Sequence, residues 1–407
     1  MSTEIRPVTA DEMEEFGAVP SYAFADTRTP EETAEQNTLQ PEWTHAAFVD
    51  GRIATSFAAY PFQVRLNGAP VQMAAVTAVG TYPEFRRQGL LRQVMTQAIS
   101  DERDRGQSIA ILWASFGAIY QRFGYGLASK AQTLLLEPRN VAFNDAAPTS
   151  GGAVRVMQKD EARPVIEGIY REFRRPRNLM IDRAPQLWEA RLRQKDLRYG
   201  VYHNAAGEQT GYLIFSTKEL ARHRQPTMFE PGPDQFMEIQ ESFALDPDAE
   251  RGIWDFVSAH DLVDRVRWWN FDPDAAAPFA LLEPRDLRAV SGDGIWMRIT
   301  DVEAALPQRP YGDEGALTLR IVEDDIADWN IGSYRLETSG AESTVTRTTE
   351  SPELTMRPAQ LAVLLAGNAS ATRLARAGLI EVADNAVLKR ADRIFATEYQ
   401  PWCPDGF

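Results

Sequence analysis

The sequence has little cysteine and histidine, and it lacks long apolar runs. Cys403 is the single cysteine among 407 residues, which excludes an internal disulfide framework and fits a reducing cytoplasm. We expect its thiol to be an inert packing group. The four histidines form neither an H-E-x-x-H pattern nor a Cys/His cluster, so we expect no metal site. No run of about 18 apolar residues and no signal peptide is recognisable, so we predict a cytoplasmic chain without a membrane partner.

Positive charge is also in deficit. The chain has 43 Lys and Arg residues against 58 Asp and Glu residues, which gives a net charge of −15. This balance argues against nucleic acid as the main partner, because binding to the phosphate backbone needs a cationic surface. It favours attraction of cationic substrates such as polyamines or aminoglycosides. The alternative is that the acidic residues mainly keep the protein in solution.

The chain is too long for a single compact domain. The small, polar run Asn144–Gly152 is typical of a linker, and the pattern of helices and strands changes again near Leu287. Strands and helices mix in each part, so we predict an α/β (α+β) fold. The predicted domains are residues 1–145, 146–286 and 287–407. We expect the strand Gln132–Leu136 to lie in the first domain and the strand Ile295–Ile299 in the third.

Local signals indicate how the first domain begins. Thr9 followed by Glu12 is a capping box, which predicts a helix over Thr9–Gly17. Asp50-Gly51 and Asn67-Gly68 each stand between apolar runs and predict two β-hairpins. Between these turns we expect two strands, Ile53–Tyr60 and Phe62–Leu66. The element order is therefore a helix, an antiparallel meander and then a further helix.

The most informative stretch runs from Val76 to Arg92 and reads V-T-A-V-G-T-Y-P-E-F-R-R-Q-G-L-L-R. Apolar residues over Met73–Val79 predict a buried strand, and apolar residues recur at helical spacing from Leu90 onwards. The turn between them, Arg86–Gly89, is basic and contains glycine. A helix that begins on such a turn presents unpaired backbone N–H groups and a positive dipole end, which together bind phosphate.

A second segment follows this helix. The run I-A-I-L-W-A at Ile109–Ala114 predicts another buried strand, which Ser115-Phe116-Gly117 ends. We predict a short helix over Ala118–Phe123, before Gly124-Tyr125-Gly126. The segment as a whole reads A-S-x-G-x-I-Y-x-R-F-G-Y-G.

The basic turn resembles the acetyl-CoA pyrophosphate loop of the GNAT N-acetyltransferases, R/Q-x-x-G-x-G/A, with Arg86 and Gly89 at the matching positions and Leu91 departing from the pattern. Together with the second segment, it is similar to the enhanced intracellular survival (Eis) acetyltransferase family. The resemblance implies two tandem GNAT-type acetyltransferase domains followed by a sterol-carrier-like α/β domain. The second GNAT domain lacks the phosphate turn and is expected to be structural. The resemblance also implies acetyl-CoA as co-substrate and a homo-oligomer, with the hexamer as the expected form.

The resemblance assigns most of the cofactor site. Arg86 and Arg87 are expected to hold the pyrophosphate, while the end of the strand pairs with the pantetheine amides and polarises the thioester carbonyl. The expected cofactor-binding residues are Val79, Gly80, Thr81, Arg86, Arg87, Gln88, Gly89, Leu90 and Ser115. Tyr120 matches the tyrosine of the family motif and is the expected general acid, because a phenol is a suitable proton donor to a departing thiolate. We expect Tyr125 to be a core residue instead.

The resemblance also names the chain terminus as the base. Family members thread the C-terminal residue into the first domain, which here implies the carboxylate of Phe407. The alternative is an ordinary exposed tail. Asp26 and Asp405 are weaker candidates for contacts with a cationic substrate. The predicted function is direct acetyl transfer from acetyl-CoA to primary amines of polycationic small molecules, aminoglycosides among them, or to lysines. Two alternatives stay open: a non-catalytic acyl-CoA-binding regulator, and an acyltransferase for a longer acyl group.

Overall fold

The structure is a computed structural model that describes residues 2–26, 38–219, 234–339 and 342–407. Within these ranges no helix has the length and apolar character needed to cross a membrane. The strands are β1 (Thr3–Arg6), β2 (Thr44–Val49), β3 (Arg52–Leu66), β4 (Ala69–Thr81), β5 (Ile109–Trp113), β6 (Gly126–Leu127), β7 (Lys130–Leu136), β8 (Ala153–Met157), β9 (Arg198–His203), β10 (Gln209–Glu219), β11 (Gln235–Ala244), β12 (Val263–Trp268), β13 (Val290–Asp293), β14 (Ile295–Ile299), β15 (Glu314–Ile321), β16 (Gly332–Ser339), β17 (Ser343–Arg347), β18 (Leu354–Met356) and β19 (Ile380–Val382).

The helices alternate with these strands along the chain. They are α1 (Met13–Ala23), α2 (Leu90–Asp104), α3 (Gly117–Gln121), α4 (Lys159–Arg174), α5 (Pro185–Arg191), α6 (Pro247–Ser258), α7 (Val302–Ala305), α8 (Pro358–Ala366), α9 (Ala371–Arg376) and α10 (Asn385–Ile394). This mixture confirms the predicted α/β (α+β) fold class. The capping box is present at Thr9 and Glu12, but it opens a 3₁₀ turn, and the α-helix that follows extends past Gly17 to Ala23.

The strands form sheets in two compact units. The first unit comprises Met1–Ser129, Arg177–Ala190 and Gly294–Phe407, and the second comprises Lys130–Pro176 and Arg191–Asp293. In the first unit, one sheet has the order β1-β2-β3-β4-β5-β14-β6 and another has the order β17-β16-β15-β18-β19. The sheet of the second unit has the order β13-β7-β12-β11-β10-β9-β8.

Two tight turns build the meander of the first sheet. Asp50 and Gly51 have φ of +48° and +82°, and Asn67 and Gly68 have φ of +50° and +87°. Positive φ at both central residues matches the twist of adjacent antiparallel strands, and both predicted hairpins are confirmed.

The prediction of two strands between these turns was wrong, because β3 runs without interruption through Pro61. Pro61 pairs with Ala74 of β4, whereas the ladder between β3 and β2 reaches only Ala58. Pro61 therefore lies outside the β2 ladder, where a missing N–H group interrupts no hydrogen bond to β2.

Two strands occupy sheets that sequence order did not indicate. β14 was expected in the last domain, but it pairs with β5, with Ile295 opposite Trp113 and Ile299 opposite Ile109. β7 was expected in the first domain, but it pairs with β12 and β13 in the second unit. Every residue of β14 is buried. Four of its five residues are apolar, Arg298 being the exception, and such a strand carries no information about which sheet will bury it.

Helix α2 covers one face of the first sheet and positions the site described below. Its buried residues are Leu90, Val94, Met95, Ala98, Ile99 and Glu102, and the apolar ones belong to a core cluster with β3, β4 and β5. Burial of this stripe fixes the helix against the sheet. As a result, the N-terminus of α2 lies close to the end of β4.

Candidate active site

A pocket of about 630 Å³ lies where β4 ends and α2 begins. Its walls come from the end of α1, the end of β4, the turn before α2, the first turn of α2, and the α3 segment. Of the predicted cofactor residues, it brings together Val79, Gly80, Thr81, Arg86, Arg87, Gly89, Leu90 and Ser115. The predicted acid, Tyr120, also lines it. The separate motifs of the sequence therefore meet in one cavity.

The pocket begins where two parallel strands separate. The ladder between β4 and β5 pairs Met73 with Ile109 and ends at Ala75 and Ile111, although β4 continues to Thr81. Beyond Ala75, the edge of β4 that faced β5 has no β5 partner. Such an edge presents backbone N–H and C=O groups at strand spacing, which suits the amides of an extended ligand.

A β-bulge in β4 bends the strand at the same place. Ala58 of β3 is opposite Thr77 and Ser56 is opposite Gly80, so two residues of β4 oppose one residue of β3. Ala78 in the bulge has a φ of +51°, and the Ser56 hydroxyl donates to its carbonyl over 2.7 Å. A bulge increases the local twist and redirects the chain. It therefore turns Val79–Thr81 into the pocket wall.

The turn before α2 needs glycine at one position. Gly89 is the N-cap residue of α2 with a φ of +79°, and a Cβ placed on it would meet no atom within 4 Å. The position is therefore open in space but strained in backbone for any L side chain. Gln93 N–H donates to the Gly89 carbonyl, so the N–H groups of the three residues before Gln93 have no partner within the helix.

The predicted cofactor residue Gln88 is not among the residues that line the pocket. Its side-chain Nε2 donates to the Glu84 carbonyl over 3.1 Å, which holds the turn to the preceding 3₁₀ segment. Arg86 makes a similar contact, because its Nε donates to the Thr81 carbonyl over 3.2 Å. Both hydrogen bonds stiffen the loop that presents the N-terminus of α2.

Positive charge dominates the pocket. Arg86, Arg87, Arg92 and Arg122 line it, and the described residues that line it include no acid. Arg92 and Arg122 flank the ring of Phe123 at 6.0 and 5.7 Å from its centroid. Sequence reasoning missed both, although Arg92 stands in the first turn of α2 and Arg122 lies inside the A-S-x-G-x-I-Y-x-R-F-G-Y-G segment. Four guanidinium groups and a helix N-terminus fit the phosphates of an elongated, polyanionic ligand such as acetyl-CoA.

Tyr120, the predicted general acid, contributes a buried phenol to this wall. It is 7% exposed, and burial raises the pKa of its phenol to about 12. Gly117 at the start of α3 permits this position, because a Cβ there would lie 2.4 Å from the ring of Trp296 on β14. Close approach of α3 to β14 thus depends on glycine. Because its pKa lies far above neutrality, the phenol keeps its proton at neutral pH.

Tyr125 differs from Tyr120 in every respect that matters for acid catalysis. It is completely buried, and it is not among the residues that line the pocket. Its ring packs edge-on against that of Tyr120 with the centroids 5.8 Å apart. Burial raises the pKa of its phenol well above the ordinary value, and the charge of Glu102 raises it further.

The remaining three candidates lie outside the lining of the pocket. Asp26 follows α1, two residues after Phe24, which does line the pocket, and its N–H donates to the Ser21 carbonyl over 2.9 Å. Asp405 is 3% exposed, and its Oδ1 accepts a hydrogen bond of 2.7 Å from Arg183 Nε. Phe407 is half-buried and packs against a large apolar cluster against which Trp113 of β5 also packs.

Within the described ranges 2–26, 38–219, 234–339 and 342–407, no group of three or more His, Cys, Asp or Glu side chains is arranged to hold a metal ion. Cys403 is 1% exposed, and its thiol donates to the Asp405 carbonyl over 3.5 Å.

Comparison with known protein families divides the chain in three. Residues 4–128 match a family described as an acetyltransferase (GNAT) domain, and residues 179–299 match a second family with the same description. Residues 302–404 match a sterol carrier protein domain. The tandem GNAT domains followed by a sterol-carrier-like domain are thereby confirmed.

Several known proteins match this chain over nearly its whole length. An N-acetyltransferase of Streptomyces avermitilis is 28% identical over 99% of this chain and 98% of its own length. The N-acetyltransferase Eis of Mycobacterium bovis is 27% identical over 98% of both chains. Among solved structures, Eis1 from Mycobacterium abscessus is 25% identical with a TM-score of 0.83, over 99% of this chain and 100% of its own. A GCN5-related N-acetyltransferase from Anabaena variabilis, 21% identical over the full length of both chains, shares the fold with a TM-score of 0.85.

Proposed function

The chain belongs to the Eis-like family of GNAT N-acetyltransferases, and on that premise we propose that it acetylates primary amines of polycationic small molecules, or of lysine side chains. Membership in this family makes the chain an acyltransferase enzyme, which removes the alternative of a non-catalytic regulator. The GNAT fold implies the use of acetyl-CoA. The proposal adds the class of acceptor, the residues that do the chemistry, the cytoplasm as the location, and a homo-oligomeric state.

One observation carries the proposal: a single pocket combines a cationic turn at a helix N-terminus, a strand edge beyond its ladder with β5 and a buried phenol. Acetyl-CoA bound there supplies the activated acetyl group. Arg86 and Arg87, with the N–H groups at the start of α2, would hold its pyrophosphate. The edge of β4 at Val79–Thr81, beyond its ladder with β5, would pair with the amides of its arm, and an N–H group near Val79 would polarise the carbonyl.

Proton transfer is assigned to two groups. Tyr120 donates to the departing thiolate, for which it must be protonated, and its raised pKa supports this state at neutral pH. The carboxylate of Phe407 accepts a proton from the attacking ammonium, directly or through a water molecule. Phe407 packs against the same large apolar cluster as Trp113, which stands two residues before Ser115 of the pocket, and this supports the role.

The acceptor is proposed to be cationic because of the net charge of −15, which raises the local concentration of polyamines and aminoglycosides. The lining of the pocket is basic and would repel a cationic acceptor. The acceptor must therefore approach from a different side than the phosphates of the cofactor. Asp26 stands just beyond Phe24 of the pocket and is proposed to contact the acceptor. Asp405, by contrast, is buried in an ion pair and is left out of this role.

Oligomerisation is proposed on separate grounds. Phe279, Leu282 and Val290 are 91%, 65% and 59% exposed, which is unusual for large apolar side chains. A homo-oligomer, with the hexamer as the family-based expectation, would cover them. Light scattering would measure the mass directly, and the mass of a single chain would contradict this part of the proposal.

The central test is a thiol-release assay with acetyl-CoA over aminoglycosides, polyamines and lysine peptides. We expect turnover with polycationic amines and little with neutral ones. Deletion of Phe407, or addition of residues after it, should abolish turnover, while an N-terminal tag should be harmless. Normal turnover by the C-terminally extended enzyme would show that the base lies elsewhere. Failure of every amine class would refute the proposed acceptor.

A further inference from the structure

The last residues of the chain are buried, although chain termini usually fray. Trp402, Cys403 and Asp405 are 4%, 1% and 3% exposed. Apolar burial accounts for Trp402 and Cys403, but a buried carboxylate needs a specific partner. The contacts of Asp405 therefore show how the tail is held.

The side chain of Asp405 is one half of an internal ion pair. Arg183 Nε lies 2.7 Å from Asp405 Oδ1, and the two side chains are 0% and 4% exposed. The Arg183 guanidinium also lies over the ring of Trp188, 4.6 Å from its centroid. Since removal of both charges from water is costly, such a pair adds little net stability but defines one geometry. It is thus suited to positioning.

Arg183 itself stands on a fixed part of the first unit. The segment before it lies along β3, where Ile181 bridges Val64 and Asp182 N–H donates to the Gln63 carbonyl over 2.7 Å. This backbone pairing holds the start of the Arg183 side chain against the first sheet. The ion pair with Arg183 then holds Asp405, and with it the end of the chain, at a fixed place on the first unit.

The backbone of Asp405 is attached to the strand that leads into the active site. Trp113 Nε1 donates to the Asp405 carbonyl over 2.8 Å. Trp113 ends β5, and Ser115 of the pocket follows two residues later. Asp405 is therefore held twice: by its carboxylate to Arg183 and by its carbonyl to β5.

A third attachment lies upstream. Pro401 forms a bridge with Asn178, and Trp402 N–H donates to the Asn178 carbonyl over 2.9 Å. From Pro401 to Asp405 the tail is thus tied to the first unit. Two residues, Gly406 and Phe407, follow Asp405, and two residues span at most about 7 Å. The terminal carboxylate is confined to a sphere of that radius around Asp405.

We propose that Arg183 and Asp405, with Trp113, form a clamp that positions the C-terminal carboxylate for proton transfer. Arg183 and Asp405 are positioning residues, because they act through Phe407. The inference rests on the proposed function, since it assumes that the Phe407 carboxylate is the base. It gives Asp405 a role other than substrate binding. It also explains why an ion pair with little expected stabilising effect is buried at this place.

The test replaces the pair as a unit. Arg183→Leu with Asp405→Leu removes both charges together, so no uncompensated charge remains buried. We expect kcat to fall about 10²-fold, since displacement of a catalytic group by about 1 Å has an effect of that size. Calorimetric affinity for acetyl-CoA should stay within about twofold, because the phosphate site is untouched. Unchanged kcat would overturn the proposal.

Two further variants keep the outcome informative if the double variant folds poorly. Trp113→Phe removes the indole N–H together with part of the ring, keeps an aromatic side chain at this position, and should lower kcat with acetyl-CoA affinity retained. Carboxypeptidase should release Phe407 faster from the Arg183/Asp405 double variant and from Trp113→Phe than from the unmodified enzyme. Arg191→Leu with Glu241→Leu is the matched control, because this largely buried ion pair, with side chains 15% and 1% exposed, belongs to the second unit and should leave release and kcat unchanged. Equal release rates in all variants would contradict the clamp.

Deletion of Phe407 separates this inference from the proposed function. If deletion leaves turnover normal, the base has been assigned wrongly, and the clamp falls with it. If deletion abolishes turnover but the double variant is fully active, the base stands and the clamp is wrong. If both lower kcat, the combination should be no worse than deletion alone, because the pair acts through Phe407.

Discussion

Glu102 is a buried carboxyl group whose protonation state can be tested by the pH dependence of stability. It lies on α2 with 1% exposure, and both of its carboxyl oxygens are buried without a hydrogen-bond partner among the described residues. Burial raises its pKa from the ordinary 4.5 to about 8, Arg105 and Arg298 oppose this shift, and Asp101 adds to it. The carboxyl group is therefore mostly protonated in the folded enzyme at neutral pH.

The sign of the effect on stability follows from this difference. The unfolded chain releases the Glu102 proton near pH 4.5 and the folded chain releases it near pH 8, so the folded state binds more protons between these values. The stability that Glu102 contributes to the folded state is then fully present below about pH 4.5 and is lost as the pH rises to about 8. At 1.36 kcal/mol for each pKa unit, the whole loss is about 5 kcal/mol.

Glu102→Gln removes the titration and keeps the shape of the side chain. We expect the melting temperatures of wild type and variant to coincide at the acid end and to separate by on the order of 10 °C above pH 8. The variant should be the more stable protein there. Asp104→Asn is the control, since Asp104 is exposed on the same helix. Parallel curves for all three proteins would refute the assignment of a buried, neutral carboxyl group.

Further predictions concern the pocket. Arg86→Ala combined with Arg87→Ala should weaken acetyl-CoA binding by about 1.5–3 kcal/mol for each lost contact, and unchanged affinity by calorimetry would contradict the phosphate site. Gly89→Ala should weaken it as well, since a left-handed residue with a Cβ costs about 1–2 kcal/mol. Tyr120→Phe should lower kcat about 10²-fold or more with cofactor affinity retained. Tyr125→Phe should leave kcat nearly unchanged, because it removes a buried hydroxyl without a partner, and the reverse ranking would exchange the two assignments.

Much of the site was predictable because its signals are local. The left-handed conformation of Gly89 and the helix that starts after it follow from neighbouring residues, as do the two hairpin turns. Gly117, by contrast, looked like a strand breaker in the sequence. Its actual requirement is contact with Trp296, which stands 179 residues later in the chain and which no local pattern connects to it.

The pairing of distant strands was not predictable. β7 and β14 read correctly as strands, yet each lies in a different sheet from the one expected, because an apolar strand specifies burial and not its neighbour. The uninterrupted course of β3 through Pro61 also depends on where the β2 ladder stops.

By itself, the amino-acid order determined the turn conformations, the helix caps, the cationic turn before α2 and the chemical groups available for proton transfer. These depend on backbone sterics and on the side chains of adjacent residues. Only the tertiary structure decided that Arg183 pairs with Asp405, 222 positions away, and that Trp113 holds the same residue. An ion pair of this kind leaves no periodic or local trace, because its partners become neighbours only when the sheet and the tail are packed together.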